Sequence, residues 1–230
     1  MLNTLTPAGV LYEVDMRLRP SGASGLLVTS LEAFAEYQRS EAWTWEHQAL
    51  VRARPVAGDP VLGEAFAAVR REVLSRVRDP QSLQREVREM RERMRQELAD
   101  RDPEHFDLKQ GTGGIADIEF MVQYHVLRYA HDHPNLLVWS DNIRLLETLG
   151  AEHLLAPDFD LSGFELPGLD LEGFDLPGPG AAQVLAEAYR RYRKRVHELT
   201  LQELPARVAA TEFRELRAQV SALWHKVMET

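Results

Sequence analysis

The sequence contains no cysteine, and none of its apolar runs approaches the roughly 20 residues that a helix needs to cross a membrane. The first twenty residues also lack the basic start and apolar stretch of a signal peptide. Without cysteine a disulfide framework is excluded. These absences together predict a cytoplasmic protein with no membrane partner.

An excess of positive charge is also missing. The chain has 27 Lys and Arg residues against 36 Asp and Glu residues, which gives a formal net charge of -9. Proteins that bind nucleic acids through a broad surface carry the opposite excess, so we expect no nucleic-acid partner. Hydrophobic residues make up 44% of the chain, which is enough for a globular core.

The stretch VLYEVDMRLRPSGASG, at residues 10–25, has the alternation of a β-strand that ends in a turn. One face is apolar: Val10, Tyr12, Val14, Met16 and Leu18. The other face is mostly charged: Leu11, Glu13, Asp15, Arg17 and Arg19. Two acids beside two arginines suit a site that binds a metal ion and phosphate oxygens. A surface strand with cross-strand ion pairs would show the same pattern.

Capping residues and apolar spacing predict helices over most of the remaining chain. The predicted ranges are 30–54, 60–77, 80–98, 115–129, 140–150, 181–204 and 211–228. Leu26–Val28 is interpreted as a short second strand. The run EVREMRERMR, at 86–95, and its flanks have four oppositely charged pairs at i,i+4, which indicates a solvated helix face: Arg85–Glu89, Arg88–Glu92, Glu89–Arg93 and Arg93–Glu97.

A glycine-rich loop, Gly111–Gly114, precedes the predicted helix at 115–129. Glycines before a helix leave backbone N–H groups free to meet an anion, although this is not a Walker sequence. Asp117 and Glu119 follow in the first turn, where simple capping explains them equally well. We interpret His125 as a histidine of the core.

Residues 156–180 form an acidic insertion with no Lys or Arg. Within it FDLSG, FELPG, LDLEG and FDLPG follow one another, which is a fourfold repeat of five residues. Four such units are too few for a stacked solenoid, and two internal prolines also argue against one. The pattern therefore predicts a flexible loop between helices.

Several stretches together resemble a known family. They are YEVDMRLRPSG at 12–22, AWTWEHQALVRAR at 42–54, EVREMRERMR at 86–95, FDLKQGTGGIADIEF at 106–120, LRYAHDHPNL at 127–136 and WSDNIRLLE at 139–147. In this order they resemble the glutamine synthetase adenylyltransferase/adenylyl-removing enzymes of the nucleotidyltransferase superfamily. Such an enzyme has two homologous halves, and the stretch at 42–54 is similar to the adenylylating, C-terminal half.

The resemblance implies an α+β fold that is mostly α, with part of a nucleotidyltransferase sheet at 1–30 and a helical bundle at 31–230. It implies transfer of AMP from ATP to a tyrosine of glutamine synthetase, with Mg²⁺ required and the PII signal protein as a second partner. Asp15 would be the catalytic and metal-binding carboxylate. The residues implied at the phosphates are Arg17, Arg19, Ser21, Gly22, Lys109, Gly113 and Gly114. Glu13, Asp117 and Glu119 would line the site.

One departure from the family pattern matters. A Gly-Ser followed by an Asp-x-Asp pair supplies two of the three metal carboxylates in this superfamily, and neither precedes Asp15 here. We therefore expect the chain to be the last part of a larger enzyme and to be inactive in isolation. The alternative is a non-catalytic helical module that binds partners or regulates.

Overall fold

Eight α-helices make up most of the described chain in this computed structural model, together with two short antiparallel strand pairs. The structure describes residues 5–7, 9, 10, 15, 19–98, 102–156 and 180–229. The predicted fold class, α+β and mostly α, is confirmed.

At the N-terminus strand β1 (Leu5–Thr6) pairs antiparallel with strand β2 (Gly9–Val10). Of the strand predicted from residue 10 to about residue 19, Val10 lies in β2, whereas Asp15 and Arg19 lie in irregular chain. Residues 11–14 and 16–18, with Glu13 and Arg17, lie outside the described residues. The second strand predicted at 26–28 was wrong: Leu26 and Val28 are 80% and 83% exposed in irregular chain. A strand needs a partner for its N–H groups, and the structure describes no strand beside this segment.

The helices follow the predicted order. They are α1 (Leu31–Ser40), α2 (Thr44–Val51), α3 (Pro60–Leu74), α4 (Pro80–Leu98), α5 (Ile115–Tyr129), α6 (Asn142–Ala151), α7 (Ala181–Leu201) and α8 (Arg214–Met228). Side chains of Ser30, Asp59 and Asp141 accept N–H groups of the first turns of α1, α3 and α6, as the capping signals predict.

The single helix predicted over 30–54 was wrong, because the chain breaks between α1 and α2. The carboxylate of Glu46 accepts the N–H of Trp43 at 2.9 Å, which starts a new helix instead of continuing the first. Trp43 consequently lies outside the core and is 66% exposed.

Helix α5 is the centre of the fold. Its residues are buried almost all round, and it packs against α2, α4, α6, α7 and α8. Before it, strand β3 (His105–Asp107) pairs with strand β4 (Arg207–Ala209), which follows α7. This pairing holds the glycine-rich loop against α8. Strand β4 was not predicted, because three residues are too few to show alternation.

No helix within the described residues combines the length and the apolar character needed to span a bilayer. Residues 157–179 of the acidic insertion lie outside the described residues, so its interpretation as a flexible loop stays a prediction. The domain division at residue 30 also stays a prediction.

His125 makes folding sensitive to acid. The side chain is buried, its Nδ1 lies 2.7 Å from the carbonyl oxygen of Met121, and burial lowers the pKa of His125 to about 4. Unfolded histidine binds its proton near pH 6.5, so below that pH the unfolded state takes up more protons than the folded state. The free energy of unfolding should therefore fall as the pH drops from about 6.5 towards 4, by at most about 1.4 kcal/mol per pH unit.

Urea unfolding of the chain and of His125→Gln at pH 7 and pH 5 measures this contribution. We expect the variant to lose less stability between the two pH values than the original chain. Burial also lowers the pKa of His47, which leaves a residual loss of the same sign in both proteins. Equal losses of unfolding free energy in the two proteins between pH 7 and pH 5 would show that His125 does not contribute to the acid sensitivity of folding.

Candidate functional site

The glycine-rich loop leads directly into α5. Gly113 has a φ of 78°, and its N–H donates to Oδ2 of Asp117 at 2.7 Å. A Cβ atom at Gly113 would lie 2.5 Å from the carbonyl oxygen of Arg217 and 2.7 Å from Oγ of Ser221, both in α8. Glycine at this position therefore allows both the left-handed backbone and the close approach of α8.

Four backbone N–H groups at the end of this loop and the start of α5 have partners within the protein. Gly113 donates to Asp117, Gly114 to the carbonyl of Gly111, and Ile115 and Ala116 to the carbonyls of Leu108 and Lys109. Four donors at the start of α5 thus stabilise the loop itself. The assignment of Gly113 and Gly114 to phosphate binding has no support in this arrangement and stays a prediction.

We expect Gly113→Ala to lower the free energy of unfolding by roughly 2–4 kcal/mol, because a left-handed alanine costs about 1–2 kcal/mol and overpacking adds a further 1–3. Gly58→Ala is the matched control, since Gly58 also has a positive φ, of 115°, but no atom lies within 4 Å of the position that a Cβ atom would take there. Equal losses in the two variants, measured by urea unfolding, would contradict a packing role for Gly113.

Asp117 is the centre of a buried charge cluster. Its Oδ1 accepts Nε of Arg91 at 2.7 Å and Nη2 of Arg95 at 3.1 Å, and Arg91 and Asp117 both have 0% exposed side chains. Arg91 also donates to the backbone carbonyl of Gln110 at 2.8 Å. The cluster joins α4, the glycine-rich loop and α5, so capping alone does not describe Asp117.

Glu119 lies on the other side of α5. Its Oε1 accepts Nη1 of Arg52 at 2.6 Å, Nδ2 of Asn142 at 3.1 Å and the hydroxyl of Tyr189 at 3.1 Å. Burial raises the pKa of Tyr189, and the Glu119 carboxylate raises it further, so this hydroxyl stays protonated. Glu119 therefore connects α2, α6 and α7.

These two clusters are separate because residues two apart on a helix point about 200° from one another. Asp117 faces α4 and the glycine-rich loop, whereas Glu119 faces α2, α6 and α7. The residues predicted to line one site from the bundle are thus divided between two faces of α5.

Of the two acids, Glu119 is the one whose partner, Arg52, lies beside the N-terminal segment. A cavity of about 490 Å³ lies between that segment, α1, α2 and α3, and both Arg19 and Arg52 line it. Arg52 has a side chain that is 42% exposed and is held by Glu119. Two arginines and one acidic residue, Glu46, therefore line one cavity, with apolar walls that include Phe34 and Phe66.

The turn after the predicted strand is tight. Ser21 and Gly22 have φ values of 62° and 55°, and the N–H of Gly22 donates to the carbonyl of Arg19 at 2.9 Å. Nε of Arg19 donates to the carbonyl of Gly25 at 3.2 Å, which fixes its side chain across the turn. Asp15 is exposed, but it lies in irregular chain and not in the predicted strand.

Lys109 is also exposed and lies on the loop before α5, where its N–H donates to Oδ1 of Asp107 at 2.8 Å. It lines neither the cavity of Arg19 and Arg52 nor the buried cluster of Asp117.

The described residues do not complete a metal site. Among residues 5–7, 9, 10, 15, 19–98, 102–156 and 180–229, no three His, Asp or Glu side chains are arranged to hold a metal ion. Asp15 could supply one carboxylate ligand, and the others would have to come from residues outside this set.

Sequence reasoning missed several residues of these clusters. Arg52 had a signal, because a charged residue interrupts the apolar pattern of its helix. Asn142 and Tyr189 had none, since each meets Glu119 only through the packing of α6 and α7 on α5. Arg91 was hidden in a charge run whose other charged residues are exposed, apart from the partly buried Arg95.

Comparisons with known proteins agree with this arrangement of motifs. The family model described as glutamate-ammonia ligase adenylyltransferase matches residues 1–69, and the model described as GlnD PII-uridylyltransferase matches residues 81–160. A bifunctional glutamine synthetase adenylyltransferase/adenylyl-removing enzyme of Thioalkalivibrio sulfidiphilus (strain HL-EbGR7) is 56% identical over 229 residues, which cover 100% of this chain. The chain spans 21% of the length of that relative. Along its whole length, the chain is therefore similar to a glutamine synthetase adenylyltransferase/adenylyl-removing enzyme.

Proposed function

We propose that this chain forms one side of a site that transfers AMP from ATP to a tyrosine hydroxyl of glutamine synthetase. The observation that carries the proposal is the 56% identity, along the whole chain, to a relative named as a glutamine synthetase adenylyltransferase/adenylyl-removing enzyme. The tyrosine target and ATP rest on the family resemblance. The cavity lined by Arg19 and Arg52 supports it, because paired guanidinium groups suit phosphate oxygens.

In the proposed step, the tyrosine oxygen forms a bond to the α-phosphorus of ATP. The bond from that phosphorus to the oxygen bridging to the β-phosphorus breaks, and pyrophosphate leaves with the bonding electrons. The protein contributes chiefly by positioning and charge neutralisation in such transfers. Arg19 and Arg52 would offset negative charge on the phosphates, and Glu119 would hold Arg52 in place.

Asp15 is proposed either to accept the proton of the tyrosine hydroxyl or to bind Mg²⁺. Magnesium supplies charge neutralisation at phosphate oxygens when bound. The phosphate-binding roles of Arg17, Ser21, Gly22, Lys109, Gly113 and Gly114, and the lining roles of Glu13 and Asp117, rest on the family resemblance. Glutamine synthetase and the PII signal protein are proposed as partners of the whole enzyme on the same basis.

The test is Arg52→Gln in a full-length enzyme that carries this segment. Loss of a charge-assisted hydrogen bond to phosphate costs about 1.5–3 kcal/mol, so we expect kcat/KM for ATP to fall by roughly 10- to 150-fold. Incorporation of labelled AMP into glutamine synthetase measures it. Arg93→Gln is the control, because Arg93 is an exposed arginine of α4 that lines neither described cluster.

The alternative is a non-catalytic regulatory or partner-binding module. The incomplete set of metal-binding side chains among the described residues favours it. If the Arg52→Gln enzyme and the Arg93→Gln enzyme both transferred AMP at the rate of the original enzyme, the catalytic proposal for Arg52 would be wrong. That result would favour the non-catalytic alternative.

A further inference from the structure

A cleft of about 750 Å³ opens between the segment after α2, helix α3 and the start of α6. Its walls carry four arginines and one carboxylate: Arg54, Arg70, Arg71, Arg144 and Asp141. In a chain with a net charge of -9, this is a local reversal of charge. The cleft shares only Ala53 and Phe66 with the cavity of Arg19 and Arg52.

Arg70 places a positive charge under the cleft, and no carboxylate of the described residues pairs with it. Its residue is 7% exposed, and its guanidinium donates to backbone carbonyls of Leu50, Val51, Leu137 and Trp139. Carbonyl oxygens satisfy its hydrogen bonds but carry no net charge. Burial and the neighbouring Arg71 both lower the pKa of Arg70, and an anion in the cleft would relieve this repulsion.

Arg54 and Arg71 are exposed, and neither forms an ion pair with any carboxylate of the described residues. Arg144 is the third accessible guanidinium and lies 4.1 Å over the ring of Trp139. Its contact with Asp141 is long, at 3.9 Å, and the other carboxylate oxygen of Asp141 caps α6. Three guanidinium groups are thus available at the cleft.

Apart from Ser140, the rest of the lining is apolar. It includes Phe66 and Leu137, together with Val138 and Trp139, which are 64% and 39% exposed. Small-molecule sites are typically clefts of about 300–1,000 Å³ with mostly apolar walls and a few placed polar groups. The size and lining of this cleft match that description.

We propose that this cleft binds a phosphate-bearing small molecule, with the phosphates at Arg54, Arg71 and Arg144 and any apolar part against Val138 and Trp139. Guanidinium groups bind phosphate oxygens through paired hydrogen bonds, and the buried charge of Arg70 adds attraction without a counter-ion to oppose it. Neither the AMP-transfer proposal nor the family comparison assigns a role to this cleft.

The experiment is calorimetric titration of the 230-residue chain with ADP, inorganic pyrophosphate and adenosine. We expect saturable binding of ADP or pyrophosphate, and no binding of adenosine. Arg54→Gln/Arg71→Gln should raise the dissociation constant at least about tenfold, whereas Arg93→Gln should leave it unchanged. Tighter binding of ADP than of pyrophosphate would identify a nucleotide, and equal binding would identify the phosphates alone.

A second measurement locates the ligand. ADP or pyrophosphate should change the tryptophan fluorescence of the chain, and Trp139→Phe should remove that change while the other three tryptophans remain. The proposal is overturned if neither phosphate probe binds, or if an acidic peptide binds in their place. It is also overturned if binding is lost in Arg52→Gln but kept in the double variant, because the ligand would then occupy the cavity of Arg19.

Discussion

We expect Asp15→Asn, in a full-length enzyme that carries this segment, to lower AMP transfer by about three orders of magnitude or more. Asparagine keeps the size and hydrogen bonding of the side chain. It removes the negative charge that would bind a metal ion or accept a proton. Charge stabilisation at such sites is worth several kcal/mol, and each 1.4 kcal/mol is about tenfold in rate. Because Asp15 is exposed, the fold should be unaffected.

Two controls decide what the loss means. Asp132→Asn removes another exposed carboxylate, which contacts His131, and should leave the rate unchanged. Glu13→Gln tests the neighbouring acid on the same predicted strand face. A surface ion pair is worth only about 0–1 kcal/mol of stability, so a purely structural Asp15 would leave the rate intact. A rate above about a tenth of the original, or a greater loss with Glu13→Gln, contradicts the assignment of Asp15.

The largest expected effect on stability is that of Arg91→Met. Arg91 and Asp117 are fully buried partners. The change would remove one of the two guanidinium groups that donate hydrogen bonds to Oδ1 of Asp117. Breaking a buried pair by removing one partner typically costs about 3–5 kcal/mol, because the other charge stays buried. At roughly 2–4 °C per kcal/mol for a chain of this size, Tm should fall by about 6–20 °C.

Arg93→Met is the matched control on the same helix. Because Arg93 is exposed, this substitution should change Tm by less than about 2 °C. Differential scanning calorimetry of both variants measures the difference. A second variant, Arg95→Met, keeps the Arg91 contact and should cost less than Arg91→Met. Equal Tm values for Arg91→Met and Arg93→Met would contradict a buried ion pair.

Local signals predicted the helices well where they act within a few residues. Asp59 before Pro60 marks the start of α3, and the side chain of Asp59 caps that helix. Residues 118–129 are apolar on nearly every side of the helix, which predicts that this helix is central to the bundle, and the burial of α5 confirms it. Such features need no information about distant parts of the chain.

The buried charges could not be predicted in the same way. In α4 the apolar spacing predicts a stripe through Met90 and Met94, whereas the structure buries Arg91 after Leu83 and Val87. Arg91 can be buried because Asp117, 26 residues later, supplies its counter-ion. The identity of that partner depends on how α4 packs against α5, and the charge run itself resembles an ordinary solvated face.

The candidate site was predicted only in part, because it too depends on how the helices pack against one another. Asp117 and Glu119 are close in sequence, but helical geometry places them on opposite faces of α5. Only Glu119 is joined through Arg52 to the cavity that Arg19 lines. Arg52 and Tyr189 are far apart along the chain, and only the folded bundle shows that both contact the same carboxylate.

The most direct test of the central proposal is a chimera. The matching segment of the Thioalkalivibrio sulfidiphilus enzyme, which is 56% identical, would be replaced by this chain, and incorporation of labelled AMP into glutamine synthetase would be measured. We expect the chimera to transfer AMP and the same chimera with Asp15→Asn to lose that activity. Removal of AMP by the other half of the enzyme reports that the chimera is folded. A chimera that removes AMP normally and transfers it equally well with Asp15 or Asn at position 15 would contradict the account.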